Sequence, residues 1–174
     1  MIRKVVLIGN GPSNRFYNPI YHMDTMKAGF NLTDIDVDVI FASDKKVIDK
    51  LNGNPKLRVL KKPFMTKKGG LNLAWNTGHN AYNHLRKSGY THFELYGFDL
   101  MFSDIWDSTT DKVFNKEWWV KQAKQVDINS EWIKYWDELI DAPTIIHAPM
   151  MTKLTFNNKF ATIKYHEDSN HKHA

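Results

Sequence analysis

Branched apolar residues run unbroken from Val5 to Ile8, directly after Arg3 and Lys4, and Gly9-Asn10-Gly11-Pro12-Ser13 ends the run abruptly. A short continuous apolar run predicts a strand buried on both faces, as in a parallel sheet, and the glycines predict a tight loop. Comparable runs at 37–42, 57–60, 92–96, 144–147 and 160–165 predict further strands, the run at 144–147 being stopped by Pro149. Helical spacing fills the intervals. Asp44 is placed to cap a helix through Val47, Ile48 and Leu51, and Asn76-Thr77-Gly78 opens a helix whose inward face is Gly78, Ala81, Tyr82 and Leu85, with Gly89 as its stop. Ser130 is the expected N-cap of a third helix that turns Trp132, Ile133, Trp136, Leu139 and Ile140 toward the core. Further helices are expected around 24–28 and 116–125, and a loop at 67–72, where lysine, glycine and asparagine offer little to a core.

Strands alternating with helices predict a single Rossmann-like α/β domain over residues 1–165, built on a doubly wound, mainly parallel sheet of about five to six strands. A polar, histidine-containing tail, 166–174, is expected to follow it. With 174 residues, 42% of them hydrophobic, the chain can fill one core. No apolar run approaches the length of a membrane span and no signal-peptide pattern precedes the first strand, so the expectation is a soluble, cytoplasmic protein. The absence of cysteine excludes disulfides, thiolate metal sites and cysteine nucleophiles from this chain.

Charge adds a partner question. The formal charge of +5 includes a local concentration at Lys56, Arg58, Lys61, Lys62, Lys67 and Lys68, which suits either phosphate contact or a solvated lysine face. With Tyr17, Tyr21 and Trp106 as exposed aromatic candidates, a nucleic-acid-binding module is the non-enzymatic alternative, although no helix-turn-helix, zinc-finger or RNA-recognition signature is present.

The chemistry concentrates at the expected carboxyl edge of the sheet. A loop of Gly9, Asn10, Gly11, Pro12 and Ser13 at that edge offers backbone N–H groups and a hydroxyl to an anion, while a purely structural turn has the same composition. It is not a P-loop, having no Gly-Lys-Ser/Thr, and it lacks the third glycine of the dinucleotide fingerprint. Gly97-Phe98-Asp99 places a carboxylate at the same edge if the strands are parallel. Asp99, Asp104, Asp107 and His147 are the candidate acid–base groups. Asp44 reads first as a helix cap, and Asp99 reads equally as a loop-structuring carboxylate. His166, His171 and His173, with Glu167 and Asp168, are of metal-ligand type but stand in a terminal polar tail. His79 and His84 are five apart, off a shared helical face, and no Gly-X-Ser-X-Gly elbow is present.

Val6-Leu7-Ile8-Gly9-Asn10-Gly11-Pro12-Ser13, Asn76-Thr77-Gly78, Ser88-Gly89-Tyr90 and Glu94-Leu95-Tyr96-Gly97-Phe98-Asp99-Leu100 together resemble the pattern of bacterial sialyltransferases of glycosyltransferase family 42. A broader set sharing the Gly-Pro-Ser loop includes 6-hydroxymethylpterin pyrophosphokinase-like proteins and small phage proteins. The resemblance covers residues 4–13 and 75–101. It implies a nucleotide or nucleotide sugar, of CMP type, as the small-molecule ligand. Gly9, Asn10, Gly11 and Ser13 would contact it on one side and Asn76, Thr77 and Gly78 on the other. The activity implied is nucleotide-sugar-dependent transfer to an acceptor of unspecified chemistry. The pyrophosphokinase-like alternative implies Mg²⁺ and a triphosphate, with Asp44 and Asp99 as the candidate Mg²⁺ pair and Lys67 or Lys68 neutralising phosphate, and a third alternative is nucleotide or nucleic-acid binding without catalysis. The chain departs from the sialyltransferase pattern in having Met101 where a tyrosine stands two residues beyond the aspartate, and in having no histidine between His92 and His147. On this resemblance, a base must come from another group.

Overall fold

A computed structural model describes residues 1–30, 35–61, 76–102, 128–150, 154 and 156–167. Seven strands form one sheet: β1 (Lys4–Ile8), β2 (Met26–Gly29), β3 (Val39–Ala42), β4 (Leu57–Val59), β5 (His92–Tyr96), β6 (Thr144–Pro149) and β7 (Ala161–His166). Their spatial order is β4-β3-β2-β1-β5-β6-β7, and every neighbouring pair is parallel. The chain therefore winds outward from β1 to one edge, returns past it, and winds outward to the other. The switch point lies between β1 and β5.

Winding in two directions puts the connections on two faces, because parallel crossovers keep one hand. On the first face, Val5, Leu7, Ala28, Phe41, Phe93, Leu95 and Ile146 pack beneath α2 (Thr77–Lys87) and α3 (Ile128–Leu139); α1 (Lys45–Lys50) follows β3 and buries no residue. Trp136 is the largest fully buried side chain, and its ring lies 4.6 Å from that of His79 and 5.1 Å from that of Phe102. Tyr82 stacks on Phe93 at 4.1 Å and reaches Thr144 Oγ1 at 2.9 Å; burial pushes its hydroxyl pKa up to about 12. The second face carries a smaller apolar cluster of Val6, Ile8, Val37 and Tyr96, covered by Phe16, Tyr17, Ile35 and Ile40. Short 3-10 helices at Pro12–Phe16 and Pro19–His22 run across it.

The α/β class and parallel sheet agree with the sequence pattern, as do the inward faces of α2 and α3. Several local expectations do not hold. The segment expected as a helix at 24–28 contains β2, the strand beyond the expected six. Met26 and Ala28 turn to the first face, and pairing with β1 supplies what a four-residue Met-Lys-Ala-Gly segment lacks in intrinsic preference. Asp44 stands at the N-cap position of α1 but makes no side-chain capping bond. Helix α3 begins at Ile128, so Ser130 lies in its first turn rather than at its cap. Strand β6 continues through Pro149, which is tolerated as its last residue. The expected tail begins one residue late, since His166 ends β7. The expected loop at 67–72 and helix at 116–125 lie outside the described residues.

At the switch point Gly9 N–H donates to Tyr96 O (2.7 Å) and Gly11 N–H to Gly97 O (2.8 Å), extending the β1–β5 pairing beyond the strands. A Cβ on Gly9 would stand 2.5 Å from Gly97 O; one on Gly97, where φ is +79°, would collide with Gly9 O. Gly97→Ala is therefore expected to lose the folded state at 37 °C, whereas Gly53→Ala, at a positive φ in open space, costs only about 1 kcal/mol; circular-dichroism melting of the two variants checks the contrast.

Candidate functional site

The loop at 9–13 and the loop at 97–99 are fastened to each other by side chains as well as backbone. Ser13, fully buried, donates its hydroxyl to Asp99 Oδ1 at 2.6 Å and accepts the Gly97 N–H at 2.6 Å, while its own N–H donates to the same Asp99 oxygen at 3.2 Å. Asn14 Nδ2 donates to Gly9 O at 3.2 Å. At Gly9, Gly11 and Ser13 the donors expected to face a ligand are therefore already taken. The N–H groups of Gly9, Gly11 and Ser13 are all engaged within the protein, Pro12 has none, and the Ser13 hydroxyl is used in both directions. Asp99 is 1% exposed, and burial raises its pKa against the opposing bonds from Ser13. In this conformation it fastens two loops and presents no edge to an acceptor.

The side-chain oxygen of Asn10 behaves differently: it is buried and has no hydrogen-bond partner. At the start of α2, Asn76 caps the helix by accepting from the N–H groups of Gly78 (2.8 Å) and His79 (3.3 Å). His79 Nε2 bonds to the Trp132 carbonyl (3.2 Å), which requires Nε2–H and leaves Nδ1 to accept the Asn76 N–H at 3.2 Å. A Cβ on Gly78 would stand 2.8 Å from the Phe98 ring, so the helix start abuts the 97–99 loop closely. Asn76 Nδ2 also reaches Met101 Sδ at 3.6 Å. The Thr77 hydroxyl has no partner among the described residues. The expected ligand residues thus do converge at one edge, but Ser13 and Asn76 spend their polar groups on the protein itself.

His147 stands elsewhere, on the second face, in a polar network that sequence reasoning largely missed. Its Nε2 lies 3.1 Å from Glu94 Oε2 and its Nδ1 lies 2.7 Å from His166 Nε2. Glu94 Oε2 also accepts from the Tyr96 hydroxyl (3.2 Å) and lies 3.4 Å from His22 Nε2, while Lys4 Nζ holds Oε1 at 2.7 Å. Burial pushes the Glu94 pKa upward, but the bonds from His147 and Lys4 outweigh it and hold the carboxyl at about 2. Burial lowers the pKa of His22 and of His166, and burial together with the Glu94 charge raises that of Tyr96. The legible signal was Glu94 itself, an acid between Phe93 and Leu95 in a central strand.

The other candidates separate. Asp104, Asp107, Trp106, Lys62, Lys67, Lys68, His171 and His173 lie outside the described residues. Asp44 and Asp99 follow β3 and β5, three strand positions apart or roughly 14 Å, too far to share one Mg²⁺. No cluster of three or more His, Asp or Glu suited to a metal occurs among the described residues. Lys56 pairs with Asp36 at 2.8 Å and Arg58 donates to the carbonyls of Pro55 and Leu57, while Tyr21 is exposed and Tyr17 half-buried. A cleft of about 480 Å³ between Tyr17, Met23, Lys27 and Asp38 includes none of the expected ligand residues. No helix among the described residues is long and apolar enough to cross a membrane.

Comparison with protein-family models, curated proteins and solved structures finds no match for this chain.

Two stability predictions follow from these bonds. Ser13→Ala strands the Gly97 N–H and is expected to cost about 1–3 kcal/mol in urea denaturation. Asp99→Asn keeps an acceptor oxygen for Ser13 and removes a buried charge, so it is expected to be neutral or stabilising at pH 7. The pH dependence has a definite sign. His22 and His166 titrate below their ordinary 6.5 when folded, so the unfolded chain binds protons first and stability falls as pH drops through 6.5 and below. Glu94 contributes stability above its ordinary 4.5 that is lost as pH falls toward about 2. Melting temperatures between pH 8 and 3 should decline in these two stages, and Glu94→Gln should flatten the lower one.

Proposed function

We propose that the carboxyl edge at the β1/β5 switch point binds a nucleotide or nucleotide sugar, CMP-type ligands being favoured, and that the chain is a nucleotide-sugar-dependent transferase resembling the sialyltransferases. The observation that carries this reading is the buried, unpartnered Asn10 side-chain oxygen beside the two clasped glycine loops. Ligands of open parallel sheets bind at such a switch point, and an orphaned buried acceptor is satisfied by a bound donor group. A carboxamide oxygen accepts from a ribose hydroxyl or an exocyclic amine, such as that of cytosine, rather than from phosphate. Asn10 is accordingly assigned to the nucleoside and Thr77, with its free hydroxyl, to the opposite wall. Ser13, Asp99 and Asn76 shape the crevice without contributing free groups.

The test is a thermal-shift screen with CMP, CTP, CMP-sialic acid, UDP-sugars, ATP and GTP, each with and without Mg²⁺. Cytidine ligands are expected to raise the melting temperature without metal, a hundredfold excess over Kd stabilising by about 2.7 kcal/mol. Asn10→Ala should abolish that gain while leaving the ligand-free protein as stable as before, since the deleted oxygen has no partner. A shift confined to a triphosphate with Mg²⁺ would replace transfer of a sugar by pyrophosphoryl transfer, and no shift with any ligand would refute the nucleotide site.

A further inference from the structure

The geometry points to Glu94, His147 and His166 as a proton relay that makes His166 the general base of the proposed transfer. This inference rests on the nucleotide-sugar reading for its substrate, but not for the relay itself.

The order of bonds fixes the tautomers. Glu94 is ionised and can only accept, so His147 Nε2 carries the hydrogen in their 3.1 Å contact. His147 Nδ1 then bears a lone pair, and the 2.7 Å contact requires His166 Nε2 to be the donor. His166 Nδ1 is left as an accepting nitrogen with no partner among the described residues, on a ring that is only partly buried. Burial and the neighbouring His147 and Lys164 keep this imidazole neutral at pH 7, as a base must be. The rings are held rigidly: His147 stacks on Tyr96 at 3.8 Å and His166 on Phe16 at 4.5 Å. Other groups facing the relay are Lys4, Tyr96 and His22 around Glu94, with Lys27 and Tyr17 beyond His22.

Position supports the role. His166 ends β7 at the same edge of the sheet as the 9–13 loop, and Phe16 closes the 3-10 helix that starts at Pro12. Four 3-10 steps place Phe16 on the order of 8 Å from Pro12, so His166, stacked on Phe16, borders the helix that continues the 9–13 loop. In the step, the acceptor O–H gives its proton to His166 Nδ1 as the acceptor oxygen bonds to the donor's anomeric carbon. The anomeric carbon–phosphate oxygen bond breaks, and CMP leaves with that electron pair. The His166 Nε2 proton moves to His147 Nδ1, so the imidazolium forms on His147 against the Glu94 carboxylate. Water serves as acceptor in the simplest case, giving donor hydrolysis.

The first experiment is ¹⁵N NMR titration of the histidines in ligand-free protein. His166 should be the Nε2–H tautomer at pH 8, and Glu94→Gln should lower its midpoint by about half a pH unit or more; an unchanged midpoint would overturn the relay. The second follows CMP release from CMP-sialic acid. His166→Gln, assayed well below its melting temperature, should leave CMP affinity unchanged but reduce kcat about 10²-fold or more and erase the acidic limb of the pH–rate profile. Wild-type turnover retained in His166→Gln, or CMP binding by wild type without turnover, would overturn the base role and leave the nucleotide site standing. If no cytidine ligand binds, the nucleotide reading and the base role fail together, and the NMR midpoint alone decides whether the relay exists.

Discussion

Everything at the carboxyl edge depends on the approach of two backbones between loops 9–13 and 97–99. The contact is possible only because Gly9, Gly11 and Gly97 lack side chains: a Cβ at any of them would lie within 3 Å of an opposing oxygen. Ser13 then completes the clasp by joining the Gly97 N–H to Asp99 through one hydroxyl. The two central strands, which diverge in the winding of the chain, are thereby kept together past their last residues. The donors and acceptors of Gly9, Gly11, Ser13 and Asp99 are spent in this closure, whereas the Asn10 side-chain oxygen is left without a partner.

The two faces of the sheet use different physics. The first is an aromatic and aliphatic core, in which Tyr82 of α2 and Trp136 of α3 bury large areas against each other and, through Tyr82, against Phe93 of the sheet. The second is thinly covered and interrupts its apolar cluster with an ionised carboxylate. A buried charge survives only if each oxygen is matched, and Glu94 has Lys4 on one oxygen with Tyr96 and His147 on the other. Parallel register makes this possible, since Val6 lies directly beside Glu94 and Lys4 beside His92, on the same face as Glu94 two residues away.

Much of the fold was legible because long, strongly patterned segments declare themselves. The Val5–Ile8 run, the Ala81-Tyr82-Leu85 face and the tryptophan-bearing helix owe their structure to their own sequence. Strand β2 does not; it is a strand because β1 is beside it. At the site, glycine content announced the loops but not how Gly9, Gly11 and Ser13 would spend their hydrogen bonds, which depends on the 97–99 loop 84 residues away from Ser13. His166 read as the start of a solvated tail because the partner that orders it, His147, is nineteen residues away, across a parallel pair. His22 and Lys4 gave no local signal, since their role exists only once three strands and a 3-10 helix have assembled.

The guanidinium of Arg58 has a consequence for the outer rim of the molecule. Among the described residues β4 is the edge strand of the sheet, with only three residues and two of them exposed. An unpaired strand there offers carbonyls to any passing extended chain. Arg58 turns its Nη1 back onto the carbonyls of Pro55 and Leu57, occupying acceptors that a second molecule's amides would need. A positive charge that invites interpretation as a phosphate contact is thus spent on the strand's own backbone, and a charged side chain at an edge strand is of the kind that disfavours pairing with another chain.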